Sequence, residues 1–173
     1  MARLINEAAV LNVQVYVSGG CRYDWRTDPE QGIAEALEYQ TRGFPAFKFR
    51  LGTAWDWDGV TCDQFIELAS AVVRATDSRF GLMVDGNARL SEAQALTIGK
   101  ALARLGRFGW FEEPIPKDDL AGYQRLSRAL DVPISGGESW STVEQAMCPT
   151  FDRMRCSDSV ERTDMVEGFS TYC

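Results

Sequence analysis

Three acidic residues each close a short apolar run. Asp85 ends Gly81-Leu-Met-Val-Asp85, Glu112 ends Gly109-Trp-Phe-Glu112, and Glu138 follows Val132-Pro-Ile-Ser-Gly-Gly137. The intervals of 27 and 26 residues are close to one strand–helix unit. If each run is a parallel strand, three carboxylates emerge side by side at one end of a sheet. Such a set suits a hard divalent cation. Mg²⁺ takes about six oxygen ligands at about 2.0–2.1 Å and keeps positions for water or substrate oxygens. Electrostatics points the same way, because two like charges about 4 Å apart repel by about 4 kcal/mol at an effective dielectric of about 20. Three converging carboxylates therefore call for a counter-ion. The plainer alternative is that each acid caps the next helix or stands in solvent, which is ordinary for any one of them.

Lys48 and Arg50 lie two residues apart in Ala46-Phe-Lys-Phe-Arg-Leu51, so on a strand they share a face. A lysine there can bind a substrate carboxylate, or move a proton to or from carbon if a nearby cation lowers its pKa. An arginine is too basic for proton abstraction and reads as an electrostatic group. Both can equally belong to an ion-pair network across strand ends. Asn87, in Asp85-Gly-Asn87, can orient a ligand or a substrate hydroxyl, although Asp-Gly-Asn is also ordinary turn chemistry. Glu113 follows Glu112 and should point away from it on a strand, which suits a supporting partner, such as one to a lysine, better than a metal ligand.

Composition narrows the class. The chain has 173 residues, 45% hydrophobic and 25% charged, enough for one domain with a core. Its net charge of −7 and lack of basic runs argue against a nucleic-acid partner. No apolar stretch approaches the roughly 20 residues of a spanning helix, and no secretory signal is visible. Five cysteines without a C-x-x-C pair fit a reducing cytoplasm better than a disulfide scaffold. Histidine is absent, which removes Ser-His-Asp and Cys-His systems and histidine metal sites from this chain.

The elements that must position these residues alternate. Val13, Val15 and Val17 read as a first strand. A helix over 29–40 carries Ile33, Ala34, Leu37 and Tyr39, with Gly43 as its stop. The second strand covers 46–51. Thr61-x-x-Gln64 opens a helix with Phe65, Ile66, Ala69, Val72 and Val73 inward. A third strand ends at Asp85. Ser91-x-x-Gln94 opens a helix bearing Leu96, Leu102 and Leu105, ended by Gly106. Trp110-Phe111 is a fourth strand, 118–130 a fourth helix, and Pro133-Ile134 lies in a fifth strand. Thr142-x-x-Gln145 caps a fifth helix that Pro149 cuts short. Serial βα units imply a parallel sheet with right-handed crossovers. No G-x-G-x-x-G loop supports a doubly wound sheet, whereas polar groups at five successive strand ends fit a (β/α)₈ barrel. The expected fold is thus α/β, an incomplete TIM barrel of about five to six βα units. Residues 1–147 would form the barrel portion and 148–173 an atypical or truncated tail.

Four motifs recur here in a familiar order: Lys48-Phe-Arg50, Val84-Asp-Gly-Asn87, Trp110-Phe-Glu-Glu-Pro114 and Val132-Pro-Ile-Ser-Gly-Gly-Glu-Ser139. Together, over about residues 12–147, they resemble the C-terminal barrel domain of the enolase superfamily, in its mandelate racemase/muconate lactonizing enzyme branch. The resemblance implies Mg²⁺ held by Asp85, Glu112 and Glu138, gripping the carboxylate of a small hydroxy acid or acid sugar. It implies removal of the proton next to that carboxylate through a metal-stabilised enolate, leading to dehydration, racemisation or cycloisomerisation. Lys48 takes the electrostatic or carboxylate-binding place in the family's K-x-K motif, and Arg50 replaces the second lysine, often the base. The histidine–aspartate dyad of many members has no counterpart here. The family's N-terminal capping domain is also expected to be absent, and the chain alone is expected to be inactive. An intact member would be a cytoplasmic homo-oligomer. Two alternatives stand beside this one: a non-catalytic remnant barrel that oligomerises through open sheet edges, and a Schiff-base aldolase with Lys48 as nucleophile.

Overall fold

Alternation along each strand divides this protein into two apolar layers with one polar edge. In the computed structural model, described for residues 15–51 and 62–138, five strands form one parallel sheet in the order β1-β2-β3-β4-β5. They are β1 (Val17–Gly19), β2 (Ala46–Arg50), β3 (Gly81–Asp85), β4 (Phe108–Glu112) and β5 (Ile134–Ser135). The connecting helices are α1 (Pro29–Thr41), α2 (Cys62–Ala75), α3 (Glu92–Leu105) and α4 (Leu120–Ala129). Sequential order in a parallel sheet is that of a (β/α)₈ barrel, and this chain is an arc of one. The predicted Thr142 cap, any sixth strand, Thr61, Val13 and the 148–173 tail lie outside the described residues.

The outer face meets the helices. Phe47, Phe49, Leu51, Leu82, Val84, Phe111 and Ile134 belong to one large core with α1–α4. The inner face holds a smaller apolar cluster, Tyr16, Ala46 and Met83 with Trp110 packed against it. Towards the C-terminal ends of the strands that inner face turns polar. Pairing sets Arg50 beside Asp85, Asp85 beside Glu112, and Glu112 beside Ser135. Register partners in a parallel sheet project to the same side, so these four form one inward row.

One irregularity makes that row possible. Leu82 pairs with Phe108 and Val84 with Phe111, so β4 carries one residue more than β3 across this stretch. A one-residue slip exchanges the faces of everything beyond it. Phe108 and Phe111 therefore both face the helices, and Glu112 turns inward. Uninterrupted alternation from Phe108 would have set Glu112 on the helix side.

Several helix faces differ from the sequence expectation by a part-turn. On α1 the buried positions are Gly32, Glu35, Ala36 and Tyr39, while Ala34 is exposed. Gly32 permits this, since a Cβ there would lie 3.2 Å from the Phe49 ring. On α2 Leu68 joins Phe65, Ala69 and Val72, and Ile66 and Val73 are half-buried. On α3 Ala95, Ile98 and Gly99 accompany Leu102, with Leu96 and Leu105 half-buried at the margin. Small residues let the helix axes come close, so the larger side chains flank the contact. The Ser91/Gln94 capping box forms, and Gly106 ends α3 in the left-handed region at φ 65. The first strand starts only at Val17, with Val15 exposed. Cys62 is a free thiol, whereas Cys21 is disulfide-bonded, contrary to the expectation from cysteine spacing. Spacing along the chain does not report proximity in space. Among the described residues no helix is long and apolar enough to cross a membrane.

Gly86 is the tightest point next to the inward row. A Cβ there would meet the Pro114 Cα at 2.6 Å and the Glu113 carbonyl oxygen at 2.9 Å, both backbone atoms. Gly86→Ala is therefore expected to push β3 and β4 apart and destabilise the fold by about 1–3 kcal/mol. A lowered urea midpoint with an unchanged m-value is the expected result; an unchanged midpoint would contradict this packing account.

Candidate functional site

The ends of the strands are tied together by backbone hydrogen bonds. Leu51 N–H donates to the Asp85 carbonyl (2.9 Å), Gly86 N–H to that of Glu112 (2.7 Å), and Glu113 N–H to that of Ser135 (3.0 Å). The ladder thus runs one residue past β2, β3 and β4, and fixes the Cα positions of the acids. Among the described residues three non-glycine ones have positive φ, and they follow directly: Asn87 (48°), Ala88 (56°) and Glu113 (34°). Each such residue costs of the order of 1–2 kcal/mol, and strain of this kind concentrates where function constrains the backbone.

Asp85 and Glu112 stand abreast, 2% and 6% exposed. Lys48 lies between them. Its ammonium donates to both Glu112 oxygens at 2.9 Å and sits 3.6 Å from Asp85 Oδ2. Arg50 adds a second positive charge, with Nε 3.9 Å from the same Asp85 oxygen. The Trp110 indole N–H donates to Glu112 Oε2 at 3.1 Å, and the Tyr16 ring lies 5.7 Å from the Lys48 ammonium. Isolated charges do not survive such burial. The cluster stands because each anion has a cation and each carboxylate further donors.

The remaining predicted residues take different places. Asn87 N–H donates to Asp85 Oδ1 at 2.9 Å, so the Asp-Gly-Asn segment does form an Asx turn, and it aims the carboxylate. Glu113 is buried, and its Oε1 accepts from Gly137 N–H at 3.2 Å rather than from a lysine. Leaving strand geometry at Glu113 turns its side chain towards β5. Burial pushes its carboxyl pKa up, the Gly137 and Glu138 amides oppose that, and the Asp85 and Glu112 charges add to it. Glu138 is not brought to the other two acids. It is exposed, three residues beyond β5, after Gly137 with φ 113. Among the described residues no three acidic, cysteine or histidine side chains are close enough to hold an ion together. By donor type the pair still suits a hard cation: all oxygen, anionic, adjacent and shielded from water.

Two further residues lie outside the predicted set of site residues. Glu35 is buried on α1, and its carboxylate accepts from Gly20 N–H (2.8 Å), Tyr23 Oη (2.7 Å) and Tyr39 Oη (3.4 Å). It fastens the segment after β1 to the first helix, and burial first, then this carboxylate, pushes the Tyr23 pKa up. Ser135 is the second. Its hydroxyl is buried and makes no hydrogen bond, though it stands beside Glu112 in the inward row. Such a group costs about 1–3 kcal/mol when nothing satisfies it.

Comparison with known proteins agrees with this geometry. Residues 32–148 match the model of the enolase C-terminal domain-like family. The chain is 29% identical over 129 residues to the D-galactarolactone cycloisomerase of Agrobacterium fabrum, covering 75% of this chain and 32% of that protein. The crystal structure of L-talarate/galactarate dehydratase from Salmonella typhimurium LT2 superposes with a TM-score of 0.69 at 27% identity, over 83% of this chain and 34% of the other. A racemase from Streptomyces coelicolor A3(2), solved with bound magnesium, gives 0.65 at 28% identity, over 77% and 34%. The chain thus spans about a third of the length of the relatives it matches. On the family model, the sheet order and these superpositions, the chain belongs to the enolase C-terminal domain-like family.

Proposed function

We propose that this barrel arc, residues 1–147, serves a Mg²⁺-dependent enzyme that removes the proton next to the carboxylate of a hydroxy acid. The substrate class is an acid sugar, and the outcome is dehydration or racemisation. One observation carries the reading: Asp85 and Glu112 are buried abreast at neighbouring strand ends, with cationic side chains gathered on them. The relatives support it, since they are dehydratases, epimerases and cycloisomerases.

Asp85 and Glu112 would hold the cation, with Glu138 as a third ligand once the Gly136-Gly137 turn brings it in from its exposed position. When bound, the cation supplies the positive charge that lowers the cost of a second negative charge on the substrate after proton loss. Lys48 and Arg50 provide positive charge for the substrate carboxylate. Lys48 can also carry a proton once it releases Glu112, which Arg50, permanently protonated, cannot. Asn87 aims Asp85 through its N–H and offers its amide to a substrate hydroxyl. Glu113 fastens the turn that carries Glu138 through Gly137.

The alternatives have less behind them. A Schiff-base lysine must be a free amine, and Lys48 is an ammonium held by two carboxylates. Association through sheet edges would use β1 and β5, which bound the described sheet and are 3 and 2 residues long.

Two outcomes are expected. Calorimetric titration should show Mg²⁺ affinity lowered at least about tenfold, about 1.4 kcal/mol, by Asp85→Asn and by Glu138→Gln; equal affinity in either variant contradicts the assignment. Lys48→Met should lower stability in metal-free buffer by about 3–5 kcal/mol, because it leaves two buried anions together. Millimolar Mg²⁺ should then raise the melting temperature of that variant more than that of the unaltered protein. A variant as stable as the parent, or unmoved by Mg²⁺, contradicts the account.

A further inference from the structure

The inward row has four members, and three of them are engaged. Arg50 and Asp85 form one pair, and Glu112 takes Lys48 and Trp110. The fourth, Ser135, presents a buried hydroxyl that makes no hydrogen bond. Glu112, its partner in the sheet, accepts from Lys48 and Trp110, and the Ser135 carbonyl accepts from Glu113 N–H, so neither group's hydrogen bonding depends on the Ser135 hydroxyl. A serine so placed is unusual, because buried hydroxyls are almost always satisfied, and a site on the sheet's inner face that needs only shape would suit alanine equally.

Position adds to this. Ser135 pairs directly with Glu112 in the sheet, one strand spacing of about 4.8 Å away. A ligand that spans two strands on this face meets both residues. Lys48 and Arg50 lie on the same face, matched by Asp85 and Glu112; with a cation on those two carboxylates, their positive charge is left to an anion that also carries hydroxyl groups. A serine hydroxyl both donates and accepts, and so serves a ligand hydroxyl or a carboxylate oxygen.

We propose that Ser135 is a substrate-binding residue, whose hydroxyl completes its hydrogen bonding only with an oxygen of a polyhydroxylated carboxylate lying across β4 and β5. This rests on the reading of Asp85 and Glu112 as a metal-assisted site, and it adds a contact from β5 that discriminates hydroxylated acids from simple ones. It also has a signature that a structural hydroxyl lacks. Removing an unsatisfied buried hydroxyl leaves the ligand-free protein as stable or more so, while the ligand is held less well.

The experiment is calorimetric titration of the full chain and of Ser135→Ala, first with Mg²⁺ alone and then with galactarate in saturating Mg²⁺. Thermal unfolding of both proteins without ligand runs beside it. The expected result is unchanged Mg²⁺ affinity, galactarate affinity weakened about tenfold, and a melting temperature equal to or above that of the parent. Equal galactarate affinity in the two proteins overturns the proposal, as does a lowered melting temperature, which would show a structural role. A parent that binds Mg²⁺ but not galactarate overturns the Ser135 assignment and leaves the metal reading intact. A parent that binds no Mg²⁺ overturns both.

Discussion

Lys48 donates to both oxygens of Glu112 and lies 3.6 Å from Asp85, and the inner edge of the sheet is organised around that contact. Three charges within a few ångströms, nearly removed from water, are tolerable only as a set. Take away the ammonium and two carboxylates face each other; take away one carboxylate and the net charge of the three goes from −1 to zero. A buried ion cluster of this kind contributes little to stability, because desolvation offsets most of its attraction. Its presence in the fold is therefore better explained by what it can bind than by what it holds together. The apolar layer between sheet and helices, from Phe47 and Phe49 to Phe111 and Ile134, provides the stability.

Two backbone devices serve the cluster. The extra residue in β4 between the Leu82 and Val84 pairings changes which face Glu112 occupies. Beyond it, the ladder continues through Leu51, Gly86 and Glu113 amides, so the Cα atoms of the acids cannot drift apart. The left-handed residues Asn87, Ala88 and Glu113 lie immediately past those acids. Their strain is offset locally: Asn87 N–H reaches the Asp85 side chain, and Ala88 N–H reaches the Glu113 carbonyl at 2.6 Å. Rigid strands thus end in short strained turns, an arrangement that aims side chains more accurately than a long loop would.

Much of this was legible from residue order. Apolar runs ending in an acid mark strands β3 and β4, and the Ser91/Gln94 pair with Gly106 brackets α3 closely. Lys48 and Arg50 share a face, as period-two alternation requires. Other features leave no local trace. A bulge is a relation between two strands, so neither β3 nor β4 announces it alone. The buried faces of α1 and α3 depend on Gly32 and Gly99, where a Cβ would press on Phe49 and Leu68 and on Leu130. Glu35 is inward because three donors converge on it, and those donors come from two other turns of chain. Glu138 is the clearest case. Its spacing from Glu112 matches the repeat, yet β5 stops at Ser135 and the Gly136-Gly137 turn leaves the carboxylate exposed.

Asp85 and Glu112 form the floor of the proposed cation site, and Lys48 balances part of their charge. Crystals of the chain soaked in Mn²⁺, a hard stand-in for Mg²⁺ with usable anomalous scattering, test it directly. The account predicts an anomalous peak about 2.1–2.3 Å from oxygens of both carboxylates, with the Lys48 ammonium withdrawn from Glu112. Density that keeps Lys48 bridging the two acids, with no peak between them or with peaks only at surface carboxylates, would contradict it.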